Sequence, residues 1–127
     1  MGCDAMETAL AYMELIKENI DYDILVESHP YDRELLEGIA ELMTETVIAK
    51  GDTILIASNV YPAELVKSKL LKLNFMHIEY VLDCFKKNTT DVKNIKKYLL
   101  AALFNAPSTI DGYYTSRVNY DFPQYAG

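Results

Sequence analysis

Apolar side chains recur three and four positions apart along most of this chain, and each run is closed by proline, glycine or short polar residues. That period turns one helix face toward a core and the other toward water, so the sequence commits most of its length to short amphipathic helices. Met6, Ala9, Leu10, Met13, Ile16 and Ile20 mark a first stripe, with Glu14, Lys17 and Glu18 between them. Residues 21–26 read as a short turn of helix, and the His29-Pro30 step ends it, because a residue before proline is pushed out of the helical region. Asp32 is placed to cap the next helix, with Leu35, Ile39, Leu42, Met43, Thr46 and Val47 facing inward and Gly51 as its stop.

The period then changes. Thr53-Ile54-Leu55-Ile56-Ala57 is β-branched and too short for a helix, and Ser58-Asn59 supplies turn chemistry before Val60-Tyr61, which predicts a small β-hairpin. Pro62 suits a first helical position, giving a helix over 62–72, and Asn74 caps another with Ile78, Val81, Leu82 and Phe85 inward, ending near Asn88-Thr89-Thr90. A further helix starts at Asp91 or Asn94 and turns Ile95, Tyr98, Leu99, Ala102, Leu103 and Ala106 to the core until Pro107 stops it. The last helix covers 110–121. The expected fold is mainly α: a compact helical domain of about five to six helices with a small β-hairpin insert. Residues 1–5 read as a leader outside the fold, 6–121 as one domain and 122–127 as a tail.

Charge divides the chain more than it characterises the whole. Residues 1–64 hold 14 Asp/Glu against 3 Lys/Arg, a balance of −11, whereas residues 65–127 hold 5 against 9, a balance of +4; together they give the net −7. An acidic total argues against a surface that binds nucleic acid all round, but Lys86, Lys87, Lys93, Lys96 and Lys97 could form one local basic face. In the acidic half, Glu34, Glu37, Glu41 and Glu45 line a flank of one helix at spacings of three and four, repelling one another unless something basic lies alongside. They are a candidate docking row, or else a solvated face.

Motifs for chemistry are not found. Cys3 and Cys84 are far apart and outside any CxxC pair, so neither a zinc site nor a disulfide framework is expected, and Cys84 reads as a reduced core thiol. His29 and His77 have no Cys, Ser or carboxylate at a recognisable motif spacing. Gly2, Gly38, Gly51, Gly112 and Gly127 cannot spell GxGxxG or a P-loop. The chain is therefore read as non-enzymatic, without metal or cofactor. With no run of about 18 apolar residues and no signal core, a cytoplasmic location and no membrane association are expected.

What remains is the run from Ile110 to Asp121. On a helix, Tyr113, Arg117 and Tyr120 share one side, where phenols beside a guanidinium can stack on an unpaired base or anchor a protein interface. The competing reading is that these tyrosines are simply half-buried with their hydroxyls satisfied.

Several phrases together resemble a known family: residues 29–34 (HPYDRE), 61–68 (YPAELVKS), 88–90 (NTT), 94–107 (NIKKYLLAALFNAP) and 113–121 (YYTSRVNYD). They are similar to the C-terminal domain of replication initiator A proteins of plasmids and mobile elements of Firmicutes, over roughly 6–121. In that family an N-terminal winged-helix domain reads the origin, and no such domain is expected in this chain. The resemblance implies an accessory module with the DnaD-like helical layout of the primosome protein's C-terminal domain, recruiting host helicase, helicase loader or primase. Where the family commonly has His, this sequence has Tyr120, so a role that needs an imidazole there is not carried over. The alternatives are a nucleic-acid module contacting single-stranded DNA through the Lys/Tyr face, and self-association through the apolar first helix in a homo-oligomer.

Overall fold

The computed structural model describes the backbone of residues 2–88 and 94–121, and the side chains of residues 4–88 and 94–110. Six helices and one hairpin follow in the order α1 (Gly2–Asn19), α2 (Tyr22–Ser28), a single 3-10 turn (Pro30–Asp32), α3 (Arg33–Ile48), β1 (Thr53–Ile56), β2 (Asn59–Pro62), α4 (Ala63–Leu71), α5 (Phe75–Lys87) and α6 (Ile95–Asp121). The mainly helical domain with its two-stranded antiparallel insert is the architecture the apolar periods predict.

Helix α3 is the centre of the fold because its apolar positions bury most of its circumference and leave the strip from Glu34 through Gly38 and Glu41 to Glu45 exposed. Leu36, Ile39, Ala40, Leu42, Met43 and Val47 are all buried, and α1, α2, α4 and α6 pack around them. Thr44 and Thr46 are buried as well, their hydroxyls donating back to the Ala40 and Leu42 carbonyls at 2.9 and 2.8 Å, so neither burial leaves a polar group unsatisfied. Ile16, Ile20, Leu25, Val66, Leu70, Ile78, Leu82 and Leu103 complete the core.

Local chemistry sets the joints. Asp21 takes a left-handed conformation (φ 53°) between α1 and α2, and the Asn19 amide donates to the Leu71 carbonyl at 3.1 Å, tying the end of α1 to the end of α4. Asn74 caps α5 as expected: its Oδ1 accepts from Met76 and His77 N–H, while His77 Nδ1 accepts from the Asn74 N–H at 3.1 Å, a reciprocal capping box. Asp32 stands at the N-cap of α3 but makes no side-chain cap bond; its carboxylate pairs with Lys86 instead. Lys67 Nζ donates to the Ala49 carbonyl at 2.8 Å, just beyond the end of α3. That helix stops at Ile48, three residues before the expected Gly51.

Further expectations need correction. Pro107 does not stop a helix: α6 runs continuously from Ile95 to Asp121, merging two expected helices. The missing N–H costs one helical bond, but Leu103, Phe104, Ala106 and Ile110 are all buried on either side of it, and that packing outweighs the local penalty. The hairpin turns at Ala57-Ser58 rather than Ser58-Asn59, since Asn59 is paired with Ile56 across the ladder. The first stripe is half used: Ile16 and Ile20 are fully buried, but Met6 and Leu10 stay 67% and 60% exposed because no described element covers the early turns of α1. Helix α1 itself begins at Gly2. Finally, Ile95 is 51% exposed, not in the core. The expected tail, 122–127, lies outside the described residues.

Candidate functional site

Three lines of candidate residues came from the sequence, and the fold treats each differently. The acidic row on α3 divides. Glu37 turns toward α1 and α2, where Lys17 Nζ lies 3.2 Å from its Oε2 and the Tyr22 hydroxyl donates to the same oxygen. Those two donors, the phenol first, hold the Glu37 carboxyl below the usual carboxylate range. Tyr22 is pushed up to about 12, by burial first and by its bond to Glu37 second. Lys17 also sits 4.4 Å from the centre of the Tyr22 ring, so this trio pins α1, α2 and α3 together. It is a joint whose polar groups are engaged with one another, and it borders two open concavities, one lined by Lys17, Tyr22, Arg33, Glu34 and Glu37 and one by residues of α1 and the start of α2.

Glu41 and Glu45 face the other way, along a groove between α3 and the first turns of α6, and Glu34 stands at the end of that groove while also bordering the concavity beside Glu37. Its volume is about 210 Å³. Leu35, Leu42, Ile95 and Leu99 supply its apolar lining, and Lys96 stands on the far lip with its Nζ 3.3 Å from Glu45 Oε2. Gly38 lies in the middle, exposed on α3 between Glu34 and Glu41. A Cβ added to Gly38 would meet no atom within 4 Å. Sequence reasoning missed this groove. The signal was present: a glycine inside an otherwise well-patterned helix, flanked at four and three residues by two members of the acidic row.

The described basic candidates lie at the end of α5 and the start of α6 and are partly neutralised. Lys86 pairs with the largely buried Asp32, Lys87 lies 3.0 Å from Asp83, and Lys96 belongs to the groove. Lys97 is exposed in the first turn of α6, its N–H accepted by Asn94 Oδ1 at 3.0 Å. Lys93 lies outside the described residues, as do the side chains of Tyr113, Arg117 and Tyr120, whose backbone belongs to α6. Three of the four described candidate lysines thus already stand beside carboxylates.

Another concavity, about 260 Å³, opens between α5 and α6 and is lined by Tyr80, Cys84, Tyr98, Ala101, Ala102, Asn105 and Thr109. Cys84, expected in the core, is instead a half-buried free thiol on this wall. Both histidines hold structure: His29 Nε2 lies 2.9 Å from Glu79 Oε2, linking the segment after α2 to α5, and His77 closes the α5 capping box. Among the described residues, no group of three or more His, Cys, Asp or Glu side chains is placed to hold a metal ion, and no helix is long and apolar enough to cross a membrane.

A family model matches residues 1–125 of the chain. The chain belongs to the family of unknown function DUF6017. That match spans every described element, so the groove, the Tyr22–Glu37 joint and the hairpin all lie within the DUF6017 region. No curated protein and no solved structure matches the chain.

Proposed function

We propose that this DUF6017 chain is a non-catalytic docking module that recruits a protein partner through the α3–α6 groove. The observation that carries the reading is the groove itself: an apolar floor rimmed by carboxylates, on the helix most deeply built into the core. An interaction surface on a rigid element holds its geometry before the partner arrives, which lowers the ordering cost of binding. The resemblance to replication initiator A proteins gives the process: in the cytoplasm, the module would bring host helicase, helicase loader or primase to a plasmid or mobile-element origin.

The alternative, single-stranded DNA held by the Lys/Tyr face, is supported less well. Lys86, Lys87 and Lys96 already have carboxylate partners, and the groove's rim would repel phosphate. The deciding experiment measures binding of the full chain to purified host helicase, loader and primase, and in parallel to labelled single-stranded DNA over a salt series. Retention of one of the three proteins, lost on Glu41→Lys, is the expected result. Binding of none of them, or tight salt-sensitive binding of DNA that Glu41→Lys strengthens, would refute it.

A further inference from the structure

We infer that the occupant of the α3–α6 groove is a single helix of a partner protein, basic and amphipathic, laid across Gly38; this rests on the docking reading above and names its ligand class. Three observations lead there. The first is length. From Glu34 to Glu45 the lip of α3 extends over three helical turns, roughly 16 Å at the helical rise, the span of one short helix.

The second is the backbone. Both walls are helices whose interior N–H and C=O groups are already bonded within themselves, and the groove contains no open strand edge. Apart from the first N–H groups of α6, a segment buried there finds no main-chain partners on either wall. It must satisfy its own amides, and a helix does so. The third is charge. The rim holds three carboxylates against one ammonium, and Glu34 and Glu41 make no ion pair among the described residues. Lysine or arginine flanking an apolar stripe complements such a rim, whereas an acidic helix or a phosphate backbone would be repelled.

Gly38 then has a reason. Glycine is, after proline, the least favourable residue in a helix interior, and no described atom of the fold comes near enough to require it. Its missing side chain leaves a notch at the centre of the groove where an incoming helix can approach the axis of α3 closely. Gly38 is therefore assigned as the position that determines what fits.

The test uses the full chain and a fluorescein-labelled synthetic helix of about fourteen residues, leucines spaced three and four apart and lysines on both flanks, read by fluorescence anisotropy. Saturable binding is expected. It should be weaker by about tenfold or more for a scrambled peptide, for a version with glutamate in place of lysine, and for the Gly38→Leu protein. Gly38→Ala should raise the melting temperature and still weaken the peptide, a pairing that a purely structural glycine would not give. Leu55→Ser, an exposed change on the hairpin, should leave affinity unchanged.

Equal binding of the scrambled peptide, or indifference to Gly38→Leu, would overturn the inference. So would a concentration-dependent dimer in sedimentation velocity that Gly38→Leu abolishes, which would give the groove to a second copy. Removal of residues 122–127 unmasking peptide binding would give it to the chain's own end. If the peptide behaves as expected while no replication protein is retained, the replication reading fails and this one stands. If a replication protein is retained regardless of Gly38, the reverse holds.

Discussion

The hairpin stores strain that a two-residue substitution should release. Ala57 and Ser58 form its two-residue loop, with Ile56 and Asn59 paired on either side, and both have positive φ, 51° and 70°. Positive φ at both central positions is the type I′ turn, whose backbone matches the twist of the strands but favours Asn-Gly. Alanine and serine there bring a Cβ close to the following carbonyl oxygen, at about 1 kcal/mol for each residue. Asparagine tolerates the conformation better, and glycine removes the clash but gives back roughly half of the gain through its freer unfolded chain. The net expectation for Ala57→Asn with Ser58→Gly is a gain of about 1 kcal/mol. With an unfolding entropy of about 2.1 cal/mol/K per residue, the 127-residue chain loses stability at roughly 0.27 kcal/mol per degree near its midpoint, so Tm should rise by about 4 °C. Differential scanning calorimetry measures this directly, with Ala57→Val as the opposite control, because a β-branched residue is poorly tolerated at positive φ. Both loop residues are exposed, so no change in packing obscures the result. An unchanged Tm in the double variant, or no loss in Ala57→Val, would refute the turn assignment.

Other expectations follow from the same geometry. Tyr22→Phe keeps the ring over Lys17 but removes the donor to Glu37, and should cost about 1 kcal/mol by urea denaturation at neutral pH. The Glu37 carboxyl is held low in the fold, so its stabilisation is present above its unfolded value of 4.5 and lost as pH falls through the folded value; a stability profile below pH 5 should be shallower in Tyr22→Phe than in the parent. Tyr22 itself, raised to about 12, contributes stability that is complete below pH 10 and disappears as pH climbs from 10 to 12. Pro107→Ala should restore a bond within α6 and stabilise the chain by about 2 kcal/mol in chemical denaturation; no gain would mean that the helix ends at the proline. Leu103→Ala, truncating a fully buried side chain, should cost about 3 kcal/mol and lower the urea midpoint accordingly.

Legibility from sequence tracked the range of the interactions involved. The stripe of α3 and the cap at Asn74 are local patterns, and both are present as expected. The Met6–Leu10 part of the first stripe misled because periodicity tells which face of a helix is apolar, not whether another element arrives to cover it. Pro107 misled for the converse reason: its penalty is local and visible, whereas the burial of Phe104 against Tyr61, ring centres 4.7 Å apart, depends on a hairpin more than forty residues earlier in the chain. The turn moved by one residue because Ile56 must point inward, which fixes the register and pulls Asn59 into the ladder. Glu37 could not be separated from its neighbours in the acidic row without knowing that Lys17 and Tyr22 converge on it.

That separation also explains how a uniformly spaced acidic row can serve two purposes. A carboxylate engaged by an ammonium and a phenol in a half-buried joint is unavailable to a partner, and removing it would loosen α1 and α2. A carboxylate on an open lip, with no counter-ion or only an exposed lysine, contributes little to the fold, because pairs in solvent are weak. Substituting the two kinds should therefore give opposite signatures. Glu37→Gln should lower stability and leave binding to a basic helix nearly intact, whereas Glu34→Gln with Glu41→Gln should leave the melting temperature nearly unchanged, or raise it by relieving like-charge repulsion, and weaken that binding with a shallower salt dependence. If both changes moved stability and binding together, the row would be one structural unit, and the division of labour drawn from the Lys17–Glu37 joint and the Gly38 groove would be wrong.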